Sequence, residues 1–249
     1  MTNNIYFIAN WKMYGNIESI KTIKNVISLS KKRSLKNVKI IYCPPYTLLS
    51  EFVKKTKKSS ISVGAQNCHQ HSSFGSFTGS INSLMVKNIG CEYIILGHSE
   101  NRKIGDTDKV INTKIRSALK ADLKIIFCIG ETLKEKKNKQ TKKVLKNQII
   151  KGLKGIKNIN NIIISYEPVW SIGTGLIPKI DDLKKKIIFI KKVVNNYFHP
   201  KKTKILYGGS VNPKNVKSLK QIKQINGFLV GRASQNDKKF IDIIQKSIN

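Results

Sequence analysis

Short apolar runs recur along the chain, and each leads through a loop into a longer stretch whose apolar residues fall three and four apart. The runs are Tyr6 to Ala9, Val38 to Tyr42, Ile61 to Ala65, Tyr93 to Leu96, Lys124 to Ile129, Ile162 to Tyr166, Lys204 to Tyr207 and Gly227 to Val230. Short, rich in β-branched residues and bounded by turn residues, they predict buried parallel strands. The longer stretches predict helices near 17–32, 45–57, 80–89, 107–121, 132–154, 179–197, 213–223 and 236–248. In the fourth, Val110, Ile111, Ile115, Ala118 and Leu119 form the apolar stripe. Asp106-Thr107-Asp108 supplies a cap for that helix, Asp181-Asp182 puts negative charge in the first turn of the sixth, and Asn212-Pro213 opens the seventh.

Strict alternation of strand and helix predicts a parallel sheet. Eight such units, with no Gly/Ser or Pro-rich linker and no change of composition, predict a single domain over 1–249. The fold class is α/β, a (β/α)8 barrel, and 249 residues suit it.

Chemistry in this fold gathers where the strands end at their C-terminal side. The first run ends Asn10-Trp11-Lys12 and the fourth Gly97-His98-Ser99-Glu100. The sixth ends on Glu167, the seventh Gly208-Gly209-Ser210, and the eighth Gly231-Arg232. After Glu167 come Pro168, an apolar segment and Gly173-Thr174-Gly175, the pattern of a base beneath a glycine-hinged lid. Taken singly, each feature has a plain structural reading: a surface lysine, a core histidine, a salt-bridged carboxylate, tight turns. Their meeting at one predicted mouth favours a catalytic site.

The formal charge of +33 brings nucleic-acid binding into consideration. The lysines, however, are scattered over helical segments between apolar residues, as solvated polar faces are, and form no tail or arm. A specific nucleic-acid function is therefore not expected. No run approaches the roughly 18 apolar residues of a membrane span, and no secretory pattern is present. Cys43, Cys68, Cys91 and Cys128 are far apart without a CxxC pair, which predicts reduced thiols and a cytoplasmic location. Cys68-His69-Gln70-His71 matches no common zinc spacing, so no metal is expected there.

Nine segments carry a resemblance to the triosephosphate isomerase family: FIANWKM (7–13), PPYTLL (44–49), GAQN (64–67), FTG (77–79), YIILGHSE (93–100), CIGE (128–131), YEPVWSIGTG (166–175), LYGGSVNP (206–213) and GFLVG (227–231). They run in family order over nearly the whole chain. The resemblance implies interconversion of dihydroxyacetone phosphate and glyceraldehyde 3-phosphate through an enediolate, without cofactor or metal, as glycolysis and gluconeogenesis use it. Glu167 would move the proton, His98 would act as a neutral donor to the substrate oxygens, and Lys12 and Asn10 would stabilise the charge that develops on them. The phosphate would rest on backbone N–H groups of Gly173, Ser210, Gly231 and Arg232. Glu100, Tyr207 and Cys128 are implied in support, Glu100 orienting Lys12 and Tyr207, with Ser210, latching a lid over 168–175.

It also implies a homodimer built through the loop near 67–79, with Thr78 reaching the neighbouring site. Four positions depart from the family pattern. Arg232 stands where a second glycine is common, at a cost of about 1 kcal/mol or more if its backbone is left-handed. Ser80 and Asn101 stand where a Glu–Arg pair usually crosses the interface, and Ser171 replaces an alanine, read here as conservative. The competing readings are an isomerase of another sugar phosphate and a basic nucleic-acid-binding barrel.

Overall fold

The computed structural model describes residues 4–200 and 202–248; residues 1–3, 201 and 249 of the expected span lie outside the described residues. Eight parallel strands close into a barrel in chain order: β1 (Ile5–Asn10), β2 (Val38–Cys43), β3 (Ile61–Ala65), β4 (Tyr93–Leu96), β5 (Lys124–Ile129), β6 (Ile162–Tyr166), β7 (Ile205–Tyr207) and β8 (Gly227–Val230). β8 returns to β1, with Tyr6 opposite Gly227 and Ala9 opposite Val230.

Strand alternation separates two cores. Tyr6, Ile8, Ile41, Cys43, Tyr93, Ile95, Ile126, Cys128, Ile163, Leu206 and Leu229 fill the barrel interior. Their sequence neighbours, such as Phe7, Ile40, Ile94 and Phe127, face outward into the larger core beneath the helices. Because both faces are covered, the strands read as continuous apolar runs rather than alternating ones.

The helices are α1 (Ile23–Ser30), α2 (Leu49–Thr56), α3 (Ser83–Asn88), α4 (Ser99–Lys103), α5 (Asp108–Lys120), α6 (Leu133–Lys137), α7 (Thr141–Gly152), α8 (Ile180–Phe198), α9 (Val216–Lys220) and α10 (Asp237–Ile248). Thr107 caps α5 by accepting from the Val110 N–H. The helix expected over 132–154 is instead two. Thr132 and Glu135 form a capping box for α6, which buries no side chain, and left-handed Lys139 turns the chain before α7. A lysine-rich turn with no apolar face has nothing to hold it in register with α7. The expected 213–223 helix shortens to α9, because Asn212 Oδ1 accepts from the N–H groups of Lys214 and Asn215 and holds a turn there. The short α4 was not anticipated; His98 caps it.

Candidate active site

At the C-terminal end of the barrel the chain brings together Asn10, Lys12, His98, Glu100, Cys128 and Glu167. Lys12 follows β1 in a left-handed conformation, φ 57°. Such a backbone costs a lysine on the order of 1–3 kcal/mol and persists only when its surroundings impose it. Here Asn10 Oδ1 accepts from the Lys12 N–H at 3.1 Å, and Gln66 Nε2 donates to the Lys12 carbonyl at 2.8 Å. The ammonium group then meets Glu100 Oε1 at 2.5 Å. Burial works to raise the Glu100 carboxyl, but the hydrogen bond and charge of Lys12, with the charge of Lys103 adding to them, hold it below the usual carboxylate range. Asn10 Oδ1 is occupied by this turn, so the donors it has left are on Nδ2.

His98 is buried, and its Nδ1 accepts the N–H of Glu100 at 3.2 Å. An imidazole nitrogen that accepts carries no proton, so in this arrangement the ring is neutral with its proton on Nε2. That Nε2 lies 3.8 Å from Glu167 Oε1.

Glu167 is buried just past the end of β6. Burial raises its pKa above the ordinary 4.5, while a hydrogen bond from Cys128 and the charge of Lys12 pull it back. The Cys128 thiol is itself pushed well above its usual value, by burial first and then by the Glu167 charge, so it remains a neutral donor. Gly208 makes room for the carboxylate: a Cβ there would lie 2.7 Å from Glu167 Cγ and 3.0 Å from its Oε1.

The segment after Glu167 is fastened at several points. Trp170 Nε1 donates to Glu131 at 3.0 Å, and the Tyr166 hydroxyl donates to the same carboxylate at 3.1 Å. Ser171 is fully buried. Its Oγ donates to the Leu176 carbonyl at 2.6 Å, lies 3.2 Å from the Tyr207 hydroxyl and accepts weakly from the Ser210 N–H at 3.4 Å. Its hydroxyl therefore makes contacts that an alanine could not. Burial raises Tyr207 to about 12, against the opposing hydrogen bond with Ser171, so this hydroxyl keeps its proton at neutral pH. Gly173 and Gly175 turn the exposed tip with φ of 73° and 80°, values that favour glycine.

Arg232 begins a 3₁₀ turn, Arg232–Gln235, so it is spared the strain of a left-handed backbone. This turn is tied to β1: Trp11 Nε1 donates to the Ser234 carbonyl and Gln235 Nε2 to the Trp11 carbonyl. A Cβ on Gly231 would lie 3.6 Å from Lys12 Cε, which puts the end of β8 beside the lysine. His69 and His71 both pack on Phe77, and among the described residues no group of three His, Cys, Asp or Glu side chains is disposed to hold a metal.

Three contributors had not been singled out: Gln66, Glu131 and Arg102. Arg102 donates to the Gly97 carbonyl and pairs with Asp108 at 2.7 Å, fixing the turn that carries His98. Gln66 and Glu131 lie within segments that carried the resemblance, GAQN and CIGE. Glu131 is also a carboxylate just past the end of an apolar run, the same signal that marked Glu167.

The arrangement offers a buried carboxylate base, a neutral imidazole donor and an ammonium group at one mouth, which fits proton transfer next to a carbonyl. Comparisons with known proteins point to one family. The family model described as triosephosphate isomerase matches residues 5–247. The triosephosphate isomerase of Geotalea uraniireducens is 41% identical over 246 residues, covering 96% of this chain and 97% of that protein. That of Endomicrobium trichonymphae is 38% identical over 248 residues, with 96% and 97% covered. The crystal structure of triosephosphate isomerase from Bartonella henselae superposes with a TM-score of 0.90 at 32% identity, covering 99% of this chain and 100% of that one.

Proposed function

The chain belongs to the triosephosphate isomerase family, and from that premise we propose that it interconverts dihydroxyacetone phosphate and glyceraldehyde 3-phosphate through the residues gathered at the barrel mouth. The observation that carries the residue roles is the His98–Glu167 pair. An acceptor Nδ1 leaves the imidazole proton on Nε2, within 3.8 Å of a buried carboxylate. Glu167 removes the proton from the carbon beside the carbonyl and returns it to the neighbouring carbon. His98 Nε2–H donates to the oxygens, whose charge rises as the enediolate forms, and Lys12 and the Asn10 amide stabilise that charge. Glu100 orients Lys12 through their ion pair.

The dianionic phosphate rests on the N–H groups of Gly173, Ser210, Gly231 and Arg232. The segment 168–175 closes over it, held through Ser171 and Tyr207. Closure keeps water from the enediolate, which would otherwise expel phosphate. No described helix is long and apolar enough to cross a membrane, and a cytoplasmic enzyme is the reading we adopt.

We further propose a homodimer through the loop near 67–79. Met13, Phe74 and Ile104 are 94%, 67% and 83% exposed, large apolar side chains that a partner would cover. Thr78, also exposed, would reach the partner's site.

The test is to follow glyceraldehyde 3-phosphate by NMR with purified protein, beside a pentose and a hexose phosphate. Rapid formation of dihydroxyacetone phosphate, with the larger sugars untouched, is expected. Preference for a larger sugar phosphate would overturn the assignment.

A further inference from the structure

The opposite end of the barrel carries a feature that isomerisation does not use. Lys39 precedes the inward-facing Ile41 by two residues, Lys124 precedes Ile126 by two, and Lys204 precedes Leu206 by two. With a period of two, all three lysines belong to the interior face, as do Tyr6 and Tyr93 beside them. Apolar side chains usually fill barrel interiors. Here the N-terminal end instead opens into a cavity of about 170 Å³ lined by these five residues and by Asn161, among others.

The charges at this mouth do not cancel. Lys124 reaches Glu92 at 3.3 Å and lies 5.1 Å over the Tyr93 ring. Lys204 stands 6.0 Å over the Tyr6 ring, and among the described residues no carboxylate pairs with it or with Lys39. Three ammonium groups thus face one carboxylate in a chain with 47 Lys and Arg against 14 Asp and Glu. Burial lowers the Lys204 pKa, and the neighbouring charges of Lys124 and Lys202 lower it further, the behaviour of a cation held near others without a counter-ion.

From the three inward lysines and the cavity they line, we propose that the N-terminal mouth of the barrel is a second anion site, taking a polyvalent phosphate through Lys39, Lys124 and Lys204. A singly charged ion would leave excess positive charge, whereas a di- or trianion neutralises the cluster; the tyrosine hydroxyls and Asn161 offer further donors. The cavity suits an inorganic oligophosphate or the phosphate end of a nucleotide whose base stays outside.

The proposal does not rest on the isomerase assignment, because the two sites lie at opposite ends of the barrel. The experiment is calorimetric titration of the whole protein and of a Lys39→Gln/Lys204→Gln variant with pyrophosphate, and separately with ATP. The parent should bind one more equivalent of pyrophosphate than the variant, or bind it at least tenfold more tightly. Inhibition of turnover by pyrophosphate at the substrate site should be the same in both. Binding of ATP with the same loss in the variant identifies the phosphate chain as what is read. Pyrophosphate alone showing that loss restricts the site to inorganic ions. Equal stoichiometry, with affinities within twofold in parent and variant for both probes, overturns the proposal. The variant's melting temperature should match or exceed the parent's, since two repelling charges are gone. If the double variant does not fold, Lys39→Gln alone, at an exposed position, carries the same comparison with at least a threefold loss expected.

Discussion

Replacing Ser171 by alanine tests how the segment over the site is held. The hydroxyl has one proton, given to the Leu176 carbonyl at 2.6 Å, so the Tyr207 hydroxyl 3.2 Å away is the donor in their contact. The Ser210 N–H, at 3.4 Å, adds little at that length. Alanine leaves the Leu176 carbonyl and the Tyr207 hydroxyl each short of a partner. Two neutral hydrogen bonds at about 0.5–1.5 kcal/mol each put the change at roughly 1–3 kcal/mol, or about 5- to 150-fold in the balance between fastened and released segment. Leu176 is exposed and water can replace its bond, so a loss of about tenfold is the working figure. Steady-state kinetics with glyceraldehyde 3-phosphate should show kcat/KM falling by about that factor. Inorganic phosphate released per isomerisation should rise, which mere destabilisation of the barrel would not cause. Unchanged phosphate release with kcat/KM within twofold of the parent would show that these bonds do not hold the segment.

Three further outcomes are expected from the same geometry. With Glu167 as the proposed base, ionised when it takes the proton, its raised pKa puts the expected acid limb of kcat/KM above the ordinary 4.5, with activity lost as pH falls through it; Cys128→Ala removes a hydrogen bond that favours the carboxylate, so a pH profile should show the limb moving higher still. Gly208→Ala places a Cβ 2.7 Å from Glu167 Cγ, and the displaced base should cost about 10²-fold in kcat, read by the same assay, with circular dichroism confirming the fold. Two subunits each carrying a formal +33 repel, so sedimentation should show the proposed dimer loosening at low ionic strength and tightening near ~0.1 M salt, where the Debye length is about 10 Å.

The barrel could be read from the sequence because its strands are buried on both faces and each apolar run stands out against the lysine-rich helices. Helix breaks were harder to see. The stop at 138–140 depends on a left-handed Lys139 and on a turn with no apolar face, neither of which interrupts a periodic pattern strongly. Lys12, His98 and Glu167 were visible as charged or polar residues closing apolar runs. Ser171 was not, because its importance lies in bonds to Leu176, Tyr207 and Ser210, partners that only the folded loop brings within reach. Arg232 went the other way: its backbone strain depended on a φ that the folded chain does not adopt. Lys39, Lys124 and Lys204 carry no signal of their own in the sequence, because it is the closed barrel that sets their strands around one cavity.

Whether Glu167 carries the proton is decided by the turnover of glyceraldehyde 3-phosphate by the parent and by Glu167→Gln, at a pH well above the acid limb. The glutamine keeps the size of the side chain but has no carboxylate to accept a proton. In Glu167→Gln kcat should fall at least 10³-fold, with the fold and the affinity for an unreactive phosphate such as glycerol 3-phosphate retained. A Glu167→Gln enzyme within tenfold of the parent would contradict that role for Glu167.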